Sequence, residues 1–118
     1  MSYTIYICNA FSLSMLDREA QRKELDAGGR GRVPRPIDDP VAFLRSWEAH
    51  DAEIVSAVGH ADTARVFSKI LGRDVEQNRV NVKLGLYKLA LIGQYIGPRL
   101  PEGTTELPEG AKIEWWVI

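Results

Sequence analysis

The chain has 118 residues, 45% of them hydrophobic, and carries 15 Lys plus Arg against 16 Asp plus Glu, a net charge of −1. That length supports one domain with its own core, and the single cysteine, Cys8, excludes an internal disulfide framework and suits a reducing compartment. No apolar run approaches the roughly 18 residues of a membrane span. The opening Met1-Ser-Tyr-Thr-Ile-Tyr-Ile7 lacks the basic and apolar regions of a secretory signal, so a cytoplasmic location is expected. A protein that coats long nucleic acid by counterion release carries a basic surplus, which this chain lacks; an anionic ligand would be compact and held by a local cluster of cations.

In chain order, Tyr3 to Cys8 is β-branched and aromatic and predicts a strand. Asn9-Ala-Phe-Ser12 follows, and Ser12 is placed to cap a short helix with Leu13, Met15 and Leu16 on its apolar side. Gln21 to Arg35 is polar, with Gly28, Gly29, Gly31, Pro34 and Pro36 in or beside it; it reads as a loop or an irregular edge strand. Arg30, Arg32 and Arg35 cluster there, either as a solvated loop face or as cations that steer phosphate. Pro40 opens a helix through Ala49 with Val41, Phe43, Leu44 and Trp47 on its apolar face. Asp51 is a candidate cap for a second short helix carrying Ile54, Val55 and Val58. Gly59 breaks that pattern, and a third helix from Ala61 to Leu71 buries Val66, Phe67, Ile70 and Leu71 and ends at Gly72. Arg79 to Leu84 alternates apolar and polar residues as a strand does. Leu86 to Ile96 holds another strand, Gly97 to Gly103 is a loop, and Lys112 to Ile118 is a terminal strand. With no repeat and no linker, the expectation is one α/β domain, residues 1–118, with a mixed sheet and helices packed on it.

The chemistry-bearing inventory is small. The two histidines, His50 and His60, and the lone cysteine make no zinc site, and the acids show no cluster suited to magnesium, so no metal and no cofactor is expected. Walker A, dinucleotide-binding and Gly-x-Ser-x-Gly signatures are absent. His60 follows a glycine at the start of a helix, where free backbone N–H groups attract phosphate and an imidazole can act as a general acid. The same Gly-His pair also reads as a capping or packing element. His50 ends a helix, where a surface histidine is the ordinary reading. Arg79 at a strand start and Arg99 in a Gly-Pro loop are either surface ion-pair residues or bidentate phosphate ligands.

Four blocks in order extend this reading: Cys8-Asn-Ala-Phe-Ser-Leu-Ser-Met-Leu16, Ser56-Ala-Val-Gly-His60, Gln77-Asn-Arg-Val80 and Gly97-Pro-Arg-Leu-Pro-Glu-Gly103. Together they resemble the viral ring nucleases, the type III anti-CRISPR family with relatives encoded beside host CRISPR systems. The resemblance implies a small α/β homodimer that binds cyclic tetra-adenylate across its two-fold axis and cuts it to linear di-adenylate. It implies that His60 is catalytic, that Asn9 and Ser12 contact the ligand backbone, and that Arg79, Arg99 and Glu102 belong to the ligand site. Gln94 corresponds to a family glutamine once a one-residue gap is allowed. Asp62 stands where some members have serine, and the segment Gln21 to Pro40 is longer than in compact members.

RNA carries its own nucleophile. If a pocket holds the 2′-hydroxyl in line with the 5′ leaving oxygen, positioning is worth roughly 7–11 kcal/mol at its upper range, and protonation of the leaving oxygen by His60 adds about 10²–10⁴-fold. Two further readings stand beside this one: a protein that sequesters the cyclic ligand without cutting it, and a structural or protein-interaction subunit. The second is suggested by Trp115-Trp116, since in a strand one of the two must face away from the core, where it would mark an interface.

Overall fold

The computed structural model describes residues 2–118. Five strands form one mixed sheet: β1 (Thr4–Cys8), β2 (Arg35–Ile37), β3 (Glu53–Ala57), β4 (Lys88–Ile96) and β5 (Lys112–Val117), in the order β2-β5-β4-β1-β3. β1 lies between β4 and the edge strand β3 and runs parallel to both, pairing Cys8 with Ala57 of β3 and with Ile92 of β4. β5 returns antiparallel to β4, and the short edge strand β2, which contains Pro36, runs antiparallel to β5. Three helices complete the single α/β domain: α1 (Arg18–Asp26), α2 (Pro40–Glu48) and α3 (Ala61–Leu71). Among the described residues no helix is long and apolar enough to cross a membrane.

Both sheet faces are covered. On one, α2 and α3 pack Leu44, Ala64, Phe67 and Leu71 against Ile5, Ile7, Leu91, Trp115 and Val117. On the other, no α-helix among the described residues covers the core. A 3₁₀ turn at Leu13–Met15 and an extended stretch ending at Leu84 close over Cys8, Ala90, Ile92 and Ile118. The adjacent tryptophans therefore both find apolar surroundings, Trp115 in the first cluster and Trp116 against the second. The expectation of a tryptophan turned away from the core does not hold, because this core has two sides. The Trp116 indole N–H is buried and has no acceptor among the described residues.

Several elements follow from local chemistry. Ser12 caps the 3₁₀ turn, its hydroxyl accepting from the Ser14 N–H at 3.3 Å. Asp39 caps α2 through the Ala42 N–H at 2.9 Å, with Pro40 in the first turn. Gly72, at φ 66°, ends α3 in the left-handed conformation that a C-terminal glycine supplies.

Three further sequence expectations are corrected. Part of the polar Gln21–Arg35 segment is helical, because α1 extends to Asp26. Asp17 caps it by accepting from Glu19 and Ala20 N–H groups, and its residues are mostly good helix formers, yet none of them is buried. Asp51 caps no helix. It sits at φ 60° in the turn after α2, and Ile54 and Val55 belong to β3, paired with β1. Arg79 to Leu84 is extended but is not a strand of the sheet. Val82 and Leu84 are buried while Arg79, Asn81 and Lys83 are exposed, and the stretch touches other backbone ladders only at the Leu16–Leu84 bridge. The alternation marks a half-buried extended chain laid over the sheet.

Candidate functional site

The carboxyl ends of β1, β3 and β4 all point to one end of the sheet, the position where open α/β sheets place ligands. Asn9 leaves the end of β1, and Gly59-His60 joins β3 to α3. The Asn9 side chain accepts from the Gly59 N–H at 3.3 Å. The Gly59 carbonyl in turn accepts from Gln77 Nε2 at 3.1 Å and from Arg79 Nε at 2.9 Å. Below this, Asn78 donates from Nδ2 to the Ser56 carbonyl at 2.6 Å and from its backbone N–H to the Val58 carbonyl at 2.8 Å, while the Ser56 hydroxyl donates to the Glu76 carbonyl at 2.6 Å. The 76–79 segment is thus sewn to the end of β3. Arg79 is oriented through Nε, and its terminal nitrogens make no hydrogen bond among the described residues.

Beside this junction lies a cleft of about 670 Å³, within the size range of small-molecule sites. Asn9, Phe11, Ser12, Gly59, Arg79 and Lys83 are among its lining residues, with Asn81 on the same wall. Two cations and no acid line it, in a chain whose net charge is −1. Lys83 donates from Nζ to the Ser14 carbonyl at 2.6 Å, which ties the 79–84 wall to the 3₁₀ turn opposite. Cys8 forms part of the floor; burial pushes its thiol up to about 12, so it stays protonated and apolar in character.

The sequence-predicted site residues fall in three places. Asn9, Ser12 and Arg79 line the cleft. His60 takes the N-cap position of α3, is exposed, makes no capping hydrogen bond through its side chain, and lies next to the cleft residue Gly59 without lining the cleft itself. Gln94, Arg99 and Glu102 are exposed and outside the cleft. Gln94 is on β4 opposite Glu114. Arg99 and Glu102 belong to a loop anchored to the first turn of α3, where the Gly103 N–H donates to Asp62 Oδ1 at 3.2 Å. Asp62 also pairs with Arg65, which counters its negative charge close to the helix N-terminus. His50 is exposed past the end of α2, away from this junction.

Sequence reading did not single out Ser56, Gln77 or Asn78 as residues that position the Gly59-His60 turn, nor Lys83 and Asn81 as cleft residues. The alternation of Arg79, Asn81 and Lys83 holds the signal for the last two, but alternation alone indicates a strand and not which wall its polar side forms. Among the described residues no group of three or more His, Cys, Asp or Glu side chains gathers to hold a metal ion.

Comparison with known proteins agrees with this architecture. B116 of Sulfolobus turreted icosahedral virus (STIV) superposes with a TM-score of 0.71 over 97% of each chain at 24% identity, so the fold is shared. No curated protein matches the chain. The STIV B116-like family model matches residues 5–114, which takes in every strand but the first residue of β1 and the end of β5, together with the whole cleft. The chain belongs to the STIV B116-like family.

Proposed function

We propose that the protein is a metal-independent ring nuclease that cleaves cyclic tetra-adenylate to linear di-adenylate with 2′,3′-cyclic phosphate ends, and so switches off type III CRISPR signalling in the host cytoplasm. The observation that carries the reading is the acid-free, two-cation cleft at the carboxyl ends of three parallel strands, with His60 beside it at the N-terminus of α3. A compact polyanion suits such a cleft, and Phe11 offers a face for a base.

In this reading the cleft fixes one nucleotide so that its 2′-oxygen lies in line with the 5′ leaving oxygen. The 2′-oxygen forms a bond to phosphorus and gives up its proton to water; the bond from phosphorus to the 5′-oxygen breaks. Protonated His60 gives its proton to that leaving oxygen. The free terminal nitrogens of Arg79 bind the non-bridging oxygens and offset the charge that develops there. Asn9, Gln77 and Asn78 act through the backbone: Asn9 and Gln77 bond the Gly59 N–H and carbonyl, Asn78 bonds the Ser56 and Val58 carbonyls before it, and together they hold the start of α3 against Arg79. Two-fold pairing of two copies matches the two-fold contained in a cyclic tetranucleotide, so each copy supplies one half-site.

The test is a single-turnover time course with radiolabelled cyclic tetra-adenylate in excess EDTA. The parent should cleave, and His60→Ala should lose about 10²–10⁴-fold in rate while still binding, because a general acid acts mainly in the transition state. Arg79→Ala should lose both rate and affinity, since a phosphate contact acts in both states. Binding without any cleavage by the parent would instead support a sequestering protein. Cleavage by His60→Ala at the parental rate removes His60 from the mechanism.

A further inference from the structure

The amino ends of the parallel strands, opposite the cleft just described, hold a second cavity of about 500 Å³. Arg30, Arg32 and Arg35 line it together with Phe43 and Trp47 of α2 and Val117 of β5. None of the three arginines has a carboxylate within salt-bridge distance among the described residues. Arg32 is the most constrained. Its backbone N–H donates to Gln21 Oε1 of α1 at 2.8 Å, and its guanidinium donates from Nη2 to the Gly85 carbonyl at 2.6 Å. Burial lowers the basicity of this guanidinium, an effect that Glu24 partly offsets. Among the described residues the Gly85 carbonyl is the one hydrogen-bond acceptor of this half-buried guanidinium, and Glu24 acts on it only from beyond salt-bridge distance, so the cation is left short of negative charge.

We infer that this cavity is a binding site for a phosphate monoester with a flat aromatic body, such as a nucleoside monophosphate, separate from the cleft beside His60. Three guanidinium groups favour a dianionic phosphate over a single carboxylate, and guanidinium forks match phosphate oxygens. The apolar and aromatic remainder of the lining, with Phe43 and Trp47 in tilted contact at 6.4 Å, suits a planar base. The volume is that of a small-molecule pocket. The site also gives α1 a role. That helix buries none of its residues, and Gln21 on it fixes the loop that presents the arginines. The inference stands on this cavity alone and does not depend on the reaction proposed for the other end.

The experiment is an NMR titration of the indole-labelled protein with AMP, adenosine and inorganic phosphate in separate arms, the Trp47 signal being assigned with Trp47→Phe. His60 ring signals report the distant cleft in the same samples. AMP should shift the Trp47 indole in a saturable way. Adenosine should bind about tenfold or more weakly, as the loss of charge-assisted hydrogen bonds implies. The double variant Arg30→Ala/Arg35→Ala, at two exposed positions, should weaken the Trp47 response to AMP to a similar extent while the His60 signals respond as in the parent. A Trp47 signal that AMP does not move, that adenosine moves equally well, or that is unchanged in the double variant overturns the inference.

Discussion

The two faces of the sheet are closed by different means. On the helical face, α2 and α3 satisfy their own backbone groups internally and present apolar stripes to the sheet, so that side is sealed by side-chain packing. On the other face, the 3₁₀ turn and the 79–84 stretch cannot satisfy their backbones internally. Lys83 bonds the Ser14 carbonyl, Leu84 N–H bonds the Met15 carbonyl at 2.6 Å, and Gln77 and Arg79 bond the Gly59 carbonyl. Polar side chains are recruited to do on this side what helical hydrogen bonds do on the other. Two of them, Arg79 and Lys83, line the cleft. A face closed by irregular chain brings donors and cations to one place as a consequence of how it is held together.

The sharpest way to break this comparison lies on the packed side. A Cβ on Gly93 would stand 2.6 Å from Phe67 Cζ and 2.7 Å from Trp115 Cζ3, between α3 and β5. Both rings are buried, at 0% and 8% exposure, so neither can swing into solvent. Gly93→Ala should therefore cost about 1–3 kcal/mol by overpacking, read as a lower urea midpoint with an unchanged slope. A loss under about 0.5 kcal/mol, the scatter expected of neutral surface changes, would mean that this side packs more loosely than its burial implies.

The same contrast explains what was legible in the sequence. α3 was readable at both ends, because its apolar stripe is four residues deep and Gly72 stops it in place. The mixed α/β sheet was readable from its strongest strands, β1, β4 and β5. β3 was misread because Ile54, Val55 and Val58 also fit helical spacing. What decides in favour of the strand is pairing with β1, some fifty residues away in sequence, and local pattern does not carry that. α1 left no hydrophobic signal because it buries nothing. At the cleft, Asn9, Ser12 and Arg79 are lining residues that the family resemblance names, while residue type alone leaves them equally a cap or an ion-pair residue. Ser56, Gln77 and Asn78 were not singled out, since their work is to bond backbone carbonyls that only the folded chain brings near.

A second test asks whether the loop-covered side is dry at its centre. The Cys8 thiol there is raised from 9.0 to about 12 by burial. A folded-state pKa above the unfolded one contributes stability that is full below the unfolded value and is lost as pH rises toward the folded one. Raising the pH from 8 to roughly 10.5 should thus remove about 2 kcal/mol that Cys8→Ala does not lose, beyond what tyrosines and lysines contribute in both proteins. Native Cys8 should also resist iodoacetamide until the protein unfolds. Equal alkaline slopes in the two proteins, or rapid alkylation of the native state, would show that water reaches the sheet on that side.

The smallest effect belongs to the rim of the helical face. Glu48, the last residue of α2, accepts from Nη1 and Nη2 of Arg73 at 2.9 Å each, a bidentate pair that ties α2 to the residue just past the C-cap of α3. The hydrogen bond from Arg73 holds the Glu48 carboxyl below its ordinary range, against a small opposing effect of burial and with added attraction from Arg73 and Arg45. A depressed folded-state pKa contributes stability above the unfolded value, here 4.5, and that stability is lost as pH falls through the folded one. The side chains are 27% and 44% exposed, so solvent screens the pair. Even a bidentate bridge in that setting is worth about 0.2–1 kcal/mol. Glu48→Gln should therefore be less stable than the parent by that amount at pH 7, and the two denaturation curves should converge as pH falls through the depressed folded-state value. The sealed core beneath should be untouched, so the denaturant slope should not change. A difference that persists once the Glu48 carboxyl is protonated would assign the loss to packing of the Glu48 stem, and no difference at pH 7 would mean that the helical face is held by its buried side chains alone.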